Sequence, residues 1–401
     1  MAGTRATTAP GERQRLSSSI SEHLNLPYMD GWLMVSALGL LGFSLFTLGT
    51  ATTGDVPGDP LHYVVRQGAY GVVGLMLLLA VARIDYSRFR ELRVGIYALM
   101  VASITVVLVF GAAARGSRRR IELPFFGFQP SEFGKVLLIA ALAAFVIERR
   151  RRGSDTRQTL RILAIGLSPT ALIFLQPDLG TALVFGVISL AMLFISGVRW
   201  SQFAAIGAIA AILALLALVA APAVGVPLLR GYQTQRLTSF LHPSDDPSDS
   251  SYQINQALIA IGAGGKTGRG DQSTQTELNF LPERHTDFIF AVIGERYGFL
   301  GAAFVLSLYA LLIWRALRIM QMSKNLYGSL IAGGIAAMLM FQVFVNVGVN
   351  LGIMPVTGVT LPLLSYGGSS VIATLLAIGL LQSIHVQSQL SPPGRARPLL
   401  I

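Results

Sequence analysis

The chain has 401 residues, of which 53% are hydrophobic and 13% are charged, and its mean hydropathy is +0.61. In soluble domains about 25% of the residues are charged, so this composition excludes an ordinary soluble protein and indicates an integral membrane protein. The absence of cysteine excludes disulfides and Cys-ligated metal ions. The net charge of +11 is compatible with nucleic acid binding, but the basic residues fall between apolar segments, so no nucleic acid partner is predicted.

Apolar segments long enough to cross a ~30 Å hydrocarbon core recur along the chain. The predicted fold is an all-α polytopic membrane protein with about ten transmembrane helices in residues 29–388. Residues 1–28 are polar and are predicted to form a disordered cytoplasmic tail, and residues 389–401 a second cytoplasmic tail. The predicted spans lie near residues 31–49, 62–82, 94–113, 130–148, 161–176, 180–197, 202–221, 288–314, 326–350 and 368–388.

Basic residues orient these spans in the membrane. The segments predicted to be cytoplasmic, with both tails, carry Arg83, Arg88, Arg90, Arg93, Arg149 to Arg152, Arg315, Arg318 and Lys324. By the positive-inside rule, that side faces the cytoplasm. The opposite side carries a large extracytoplasmic loop, about residues 222–287 between helices 7 and 8, which shows no strong secondary-structure signal. A loop of this length is usually functional.

Several polar residues lie near the predicted outer ends of spans. In QPSEFGK, Glu132 and Lys135 are three positions apart on one helix face, so they form either a local ion pair at an ordinary helix start or part of a site. Arg66 either extends toward the headgroups or joins Lys135 and the outer arginines in a cation set suited to a pyrophosphate group. Asp178 in QPDLGTA is predicted to cap the next helix. GAGGKTG at 262–268 is rejected as a phosphate-binding loop, because Ala260 stands where that motif needs glycine.

The stretch LPERHTDF places Glu283, Arg284, His285 and Asp287 directly before an apolar helix. A first-turn acid stabilised by the helix dipole would explain Asp287 but not its charged neighbours. The dipole and Arg284 should both favour the ionised carboxylate, which could then accept a proton. Another outer segment, NLGIMPVTGVTLPLLSYGGSS, has no charged residue but is dense in Gly and Pro. Such non-helical backbone is tolerated at membrane depth only where it is buried in protein or lines a cavity.

The four motifs QPSEFGK, QPDLGTA, LPERHTDFIFAVIGE and NLGIMPVTGVTLPLLSYGGSS, in this order, resemble the SEDS family (shape, elongation, division and sporulation) from about residue 31 to 388. FLPERHTDF and GIMPVTG are closer to its elongation type (RodA) than to its division type (FtsW). The resemblance implies a ten-helix peptidoglycan glycosyltransferase of the bacterial cytoplasmic membrane, with an extracytoplasmic active site. It would polymerise lipid II into β-1,4 glycan and release undecaprenyl pyrophosphate.

The resemblance also assigns residues. It places Asp287 at the family's essential aspartate, as the candidate general base. The candidate substrate-binding residues are Arg66, Arg119, Glu132, Lys135, Arg236, His285 and Ser365. The chain departs from the family in having Arg120 where a Trp is usual. No cofactor is assigned, and a divalent cation (Mg or Mn), with Asp287 as a ligand, is left open.

The implied partners are lipid II, a class B penicillin-binding protein transpeptidase and membrane proteins of the elongation complex. Three alternatives remain. A lipid II flippase would need polar residues in both halves of the bilayer, whereas here the unusual charges collect on the outer side, which favours catalysis. The second alternative is a polymerase of the division type. The third, a non-catalytic scaffold, leaves the charged cluster around Asp287 without a purpose.

Overall fold

The computed structural model describes residues 28–52, 55–114, 117–123, 126–150, 156–216, 249–277, 280–281 and 283–390. The α-helices in these ranges are α1 (Gly31–Ala51), α2 (His62–Arg83), α3 (Arg93–Phe110), α4 (Pro130–Arg150), α5 (Thr156–Leu175), α6 (Leu179–Ile195), α7 (Trp200–Leu215), α8 (Asp249–Gly264), α9 (Thr274–Glu277), α10 (Ile289–Met322), α11 (Leu326–Asn350) and α12 (Gly368–Gln389). Short 3₁₀ helices cover Tyr86–Arg90 and Gly270–Gln272. The predicted tails and Arg236 lie outside the described residues.

The protein is a multi-pass α-helical membrane protein. Eight of the described helices are long and apolar enough to cross a membrane, and α6 and most of α7 are shorter apolar helices. All of them coincide with predicted spans, while the count of ten crossings stays a prediction. Helix α10 continues to Met322, so Arg315 and Arg318 lie on a helix rather than in a loop as predicted.

Helix α12 forms the centre of the bundle. In the most apolar 18-residue stretch of α12, 94% of the residues are buried, whereas in the peripheral helix α3 the corresponding share is 17%. Helix α2 packs closely against it: a Cβ at Gly74 would lie 2.5 Å from Leu375, and one at Gly379 would lie 2.7 Å from the Leu78 carbonyl oxygen. Small residues of this kind allow helix backbones to approach closely in a membrane, where van der Waals packing stabilises the pair.

The connecting segments meet at two opposite ends of the bundle. At one end, which we call the basic end, Arg93 binds Glu148 and Ser383 donates to the carbonyl of Ile84. Arg315 also lies there, where it binds Asp30. The segments predicted to be cytoplasmic therefore lie together at this end of the bundle. The other end, which we call the site end, holds the N-terminal ends of α4, α6, α10 and α12.

The prediction that residues 222–287 lack strong secondary structure is wrong for the part that the structure describes. That part contains α8 and α9. Ile254, Ala257 and Ala260 are buried at helical spacing, which gives α8 one apolar face against α10. This apolar pattern is short and is surrounded by polar residues, so the composition of the segment did not indicate a helix.

The glycine-rich turn after α8 fits a break in α10. Gly298 has φ 64° and ψ −160°, which interrupts the helix. The amides of Phe299 and Leu300 donate instead to the carbonyls of Gly265 (2.9 Å) and Lys266 (3.1 Å). A Cβ at Gly268, itself at φ +84°, would lie 2.2 Å from the Arg296 carbonyl oxygen. The glycines of GAGGKTG therefore allow two backbones to meet, which supports rejecting a nucleotide site.

Three short strands, absent from the all-α prediction, precede α4. β1 (Ala112–Ala114), β2 (Ser117–Leu123) and β3 (Phe126–Phe128) form an antiparallel sheet in the order β1-β2-β3. Ser369 joins β3 to the start of α12, because its hydroxyl donates to the Gly127 carbonyl (2.8 Å) and accepts from the Gln129 amide (2.9 Å). The sequence did contain an indication of this sheet: turn-forming Gly and Pro residues occur close to the apolar residues Ile121, Phe126 and Phe128.

Candidate active site

A turn built on Glu283 leads into α10. Glu283 has a left-handed φ of 54°, and its carbonyl accepts from the amide of Thr286 (3.1 Å). Its carboxylate accepts from the Thr286 hydroxyl (3.1 Å). Asp287 follows and directly precedes Phe288, the N-cap position of α10. Asp287 therefore lies just ahead of the helix, in agreement with the predicted span that begins near residue 288.

Three consecutive carbonyl groups of this turn are held by other parts of the chain. The His285 carbonyl accepts from the amide of Tyr366 (2.8 Å), and the Thr286 carbonyl from the Ser365 hydroxyl (2.6 Å). The Asp287 carbonyl accepts from two side-chain amides of α11, Asn346 Nδ2 and Asn350 Nδ2, both at 3.0 Å. The backbone that carries the predicted base is therefore fixed at the acid itself and at the two residues before it.

The uncharged segment between α11 and α12 forms the opposite wall. Its Leu361, Leu363 and Leu364 side chains are fully buried, which confirms the prediction that this non-helical backbone is enclosed. Helices supply its missing hydrogen bonds: Ser44 Oγ donates to the Leu364 carbonyl (2.7 Å) and Gln67 Nε2 to the Ser365 carbonyl (3.2 Å).

Gly358 brings this wall to the carboxylate of Asp287. A Cβ built on Gly358 would lie 3.8 Å from Asp287 Oδ2, and Gly358 has φ +74°. The Asp287 side chain is half-buried. The carboxylate thus lies between the start of α10 and a stretch of backbone where a glycine conformation is required.

Aromatic rings connect Arg66 to the turn. Arg66 and Tyr70 both lie close enough to the hydroxyl of Tyr366 to influence its ionisation. Its ring meets the ring of Tyr63 edge to face at 4.9 Å, and Tyr63 lies 4.7 Å from the ring of His285. Burial and then Tyr70 raise the pKa of Tyr366 to about 12, while Arg66 acts in the opposite direction. The structure therefore brings Arg66 and His285 into one cluster.

Glu132 and Lys135 bind each other at the start of α4. Lys135 Nζ lies 2.7 Å from Glu132 Oε2, and both residues are buried. This is the local ion pair that the sequence offered as one of two interpretations. Whether the pair also contacts substrate stays a prediction, as does the role of the Arg119 side chain, which lies outside the described part of the structure.

The structure confirms the predicted cap on α6. The carboxylate of Asp178 accepts from the Thr181 amide at 3.2 Å. Close by, a Cβ at Gly180 would lie 2.3 Å from the Thr357 carbonyl oxygen, so α6 packs directly under the uncharged segment. Asp178 is therefore structural, and it supports one wall of the site.

Two charged neighbours of Asp287 in the sequence have other partners. The guanidinium of Arg284 binds the carboxylate of Asp55 and the Thr276 carbonyl. Arg284 thus connects the segment between α1 and α2 to α9, and its role in keeping Asp287 ionised stays a prediction. The Glu295 carboxylate accepts from the amides of Gln275 (2.9 Å) and Thr276 (3.0 Å), so it stabilises the short helix α9.

Sequence reasoning missed Asn346, Asn350 and Tyr366. A signal was available for the asparagines, since polar side chains inside transmembrane segments are costly and usually serve a contact. Among the residues that the structure describes, no three His, Asp or Glu side chains group into a metal site.

The fold and this site define a polytopic membrane protein with a fixed acid at one end of its helical bundle. The sequence matches the family of cell-cycle proteins FtsW, RodA and SpoVE over residues 29–390. The chain belongs to this family, as the resemblance indicated.

Relatives and solved structures cover most of the chain. Stage V sporulation protein E of Bacillus subtilis is 36% identical over 82% of this chain and 89% of its own length. Peptidoglycan glycosyltransferase MrdB of Escherichia coli K12 is 35% identical over 90% of this chain and 95% of its own. A chain from a peptidoglycan synthase complex matches with a TM-score of 0.77 and 33% identity, covering 90% of this chain and 99% of that one. RodA of Thermus thermophilus matches with a TM-score of 0.64 and 30% identity, covering 89% and 96%.

Proposed function

We propose that this protein is a peptidoglycan glycosyltransferase that polymerises lipid II, with Asp287 as its general base. The similarity to MrdB, 35% identical over 90% of this chain, supports the activity. The observation that carries the choice of base is the placement of Asp287: its carbonyl is held by α11, and its carboxylate faces Gly358. A base must be held in position relative to the proton it accepts.

The chemistry is a single displacement at the anomeric carbon of the donor. The 4-hydroxyl of the acceptor sugar forms the new glycosidic bond as its proton passes to the Asp287 carboxylate. The bond from the anomeric carbon to the pyrophosphate breaks with its electron pair on oxygen, and undecaprenyl pyrophosphate leaves. The configuration inverts, which gives the β-1,4 linkage. A positioned base of this kind contributes about 10²–10⁴-fold to the rate.

Cations would stabilise the departing pyrophosphate. Arg66 is the best supported of these, because Tyr366 links it to the turn that carries Asp287. Lys135 would have to share its ammonium group between Glu132 and the substrate. Arg119, Arg236, His285 and Ser365 remain candidate substrate contacts. A divalent cation between Asp287 and the phosphates would supply further positive charge.

The site end of the bundle faces the outside of the cytoplasmic membrane, and both termini are cytoplasmic. The support is the gathering of inner-loop arginines at the basic end, as the positive-inside rule requires. The catalytic acid then lies at the surface where a lipid-linked sugar presents its reactive end.

A class B penicillin-binding protein transpeptidase is the proposed partner, and it would crosslink the new glycan. The similarity to a chain of a peptidoglycan synthase complex supports this pairing. The role in elongation rests on the RodA-like motifs alone, since relatives named MrdB and FtsW match this chain at about equal identity, 35% in both cases. Contacts with other membrane proteins of the elongation complex are proposed on the same basis.

The test uses purified protein, alone and with its transpeptidase, supplied with lipid II in the presence of Mg²⁺ or of EDTA. We expect the native chain to make glycan and folded Asp287→Asn to be slower by about 10²–10⁴-fold. Asp178→Asn is the matched control, because asparagine keeps an acceptor for the Thr181 amide and activity should be retained.

The other outcomes are equally informative. Equal polymer from native protein and Asp287→Asn would remove this acid from the chemistry. If the native chain made no polymer where a known polymerase is active, lipid II transport would become the better hypothesis. Loss of activity in EDTA, restored by Mg²⁺ or Mn²⁺, would establish the divalent cation.

A further inference from the structure

We propose that Asn346 and Asn350 are positioning residues for the reaction and that they set the location of the Asp287 carboxylate. This inference rests on the proposed function. The two side chains project from consecutive turns of α11, and both donate to the same acceptor, the Asp287 carbonyl, at 3.0 Å. Two side-chain amides on one carbonyl are an unusual concentration of donors in a bundle built mainly of apolar contacts.

Asn350 fixes the acid on its C-terminal side as well. Its Oδ1 accepts from the amide of Ala291 at 2.9 Å. That amide lies in the first turn of α10 and also donates to the Phe288 carbonyl at 3.0 Å, so Asn350 supplies a second acceptor to it. One side chain therefore holds the backbone before and after Phe288, the residue that separates Asp287 from α10.

Asn346 connects the acid to the opposite wall. The same Nδ2 that donates to Asp287 also donates to the Val359 carbonyl at 2.9 Å. Val359 follows Gly358, which faces Asp287 Oδ2. One side-chain amide thus bridges the Asp287 main chain and the wall that faces its carboxylate. Both asparagines are buried, at 2% and 0% exposure, and Asn350 also donates to the Asn346 carbonyl at 2.8 Å.

These amides suit a positioning role because they are neutral. A cation beside an acid favours its ionised form and makes it a weaker base. Amides that bind the main-chain carbonyl restrict the position of the residue without adding such a charge. A displacement of about 1 Å can cost a factor of ~10² in rate, so the effect of these contacts should appear in turnover.

The test compares Asn346→Ala, Asn350→Ala and the double variant with Gln342→Leu. Gln342 is the matched control: it lies one turn before Asn346 on α11, is 2% exposed, and its Oε1 has no hydrogen-bond partner among the described residues. We expect kcat per folded molecule to fall at least tenfold in each single variant and about 10²-fold in the double variant. KM for lipid II should change less than threefold, and Gln342→Leu should match the native chain.

Two further readouts separate positioning from a merely structural role. Hydrogen exchange of the peptide covering residues 286–292 should quicken in Asn350→Ala but not in Gln342→Leu, because the Ala291 amide loses one of its two acceptors and keeps only the Phe288 carbonyl. In an Asp287→Asn background, Asn346→Ala should reduce the residual rate less than twofold, since its effect acts through the base.

Unchanged exchange would overturn the positioning role whatever the activity. Faster exchange with unchanged kcat would also overturn it, while leaving Asp287 as the base. A native chain that makes no glycan with its transpeptidase would overturn the proposed function and this inference together.

Discussion

Asp30 at the basic end and Asp287 at the site end are held in place in different ways. At the basic end, the Asp30 carboxylate binds Arg315, with Nε 2.8 Å from Oδ2, and Glu148 binds Arg93 at 2.8 Å. At the site end, Asp287 is held through its carbonyl by Asn346 and Asn350. Ion pairs on the carboxylate fix an acid by neutralising it, whereas amides on the carbonyl fix an acid that must still react.

At the basic end, hydrogen bonds to Asp30 also connect α1 to the central helix α12. Gln382 of the central helix donates to the Asp30 carbonyl (3.0 Å) and accepts from its amide (2.8 Å). The Asp30 carboxylate caps α1 by accepting from the Leu33 amide at 2.9 Å. Every polar group of Asp30 thus has a structural partner, which indicates that this end serves stability.

Ion pairs also occur at the site end, between Asp55 and Arg284 and between the buried Glu132 and Lys135, and breaking the second should have the largest effect on stability. Lys135→Met leaves Glu132 buried without its cation, so we expect a loss of about 3–5 kcal/mol in the free energy of unfolding. Unfolding in detergent would measure this.

The double variant Glu132→Gln/Lys135→Met distinguishes a structural pair from a substrate contact. It removes both charges, so most of the stability should return. A folded double variant that fails to polymerise lipid II would assign the pair to substrate binding. A folded and active one would leave it a structural ion pair.

Asp30→Asn should have an intermediate effect on stability and almost none on turnover. Asparagine can still cap α1, but Arg315 loses its charged partner, which we expect to cost about 1.5–3 kcal/mol. Polymerisation per folded molecule should stay within twofold of the native rate. A large fall in kcat with an intact fold would contradict the division between a stabilising end and a reacting end.

The smallest effect should come from Tyr366 at high pH. Its pKa in the folded protein, about 12, exceeds the ordinary value of 10.0. Between these values the unfolded chain releases this proton while the folded chain keeps it, so stability falls as the pH rises from 10 toward 12. Below pH 10 both states are protonated and the contribution is constant.

Thermal unfolding of the native chain and of Tyr366→Phe between pH 8 and pH 11 would measure this. The variant should lose less stability above pH 10 than the native chain does. Identical pH dependence would show that Tyr366 ionises normally and is not enclosed with Arg66 and Tyr70.

Much of the architecture was predictable because it depends on local properties. Runs of apolar residues gave the positions of the main helices, and the arginines gave the shared end of the inner segments. Asp178 was predictable as a cap because a cap and its helix are neighbours in sequence. Helix α8 was missed because its apolar face is short, and the small sheet because its strands have three to seven residues.

The sequence by itself determined the class of protein, the family motifs and the identity of the candidate base. Only the tertiary structure decided what holds that base, because Asn346 and Asn350 lie 59 and 63 positions from Asp287 and Asp55 lies 229 from Arg284. Helix propensity and charge patterns act over a few residues. Contacts of this range depend on which helices pack together and on the path of a non-helical segment between α11 and α12, which no local pattern encodes.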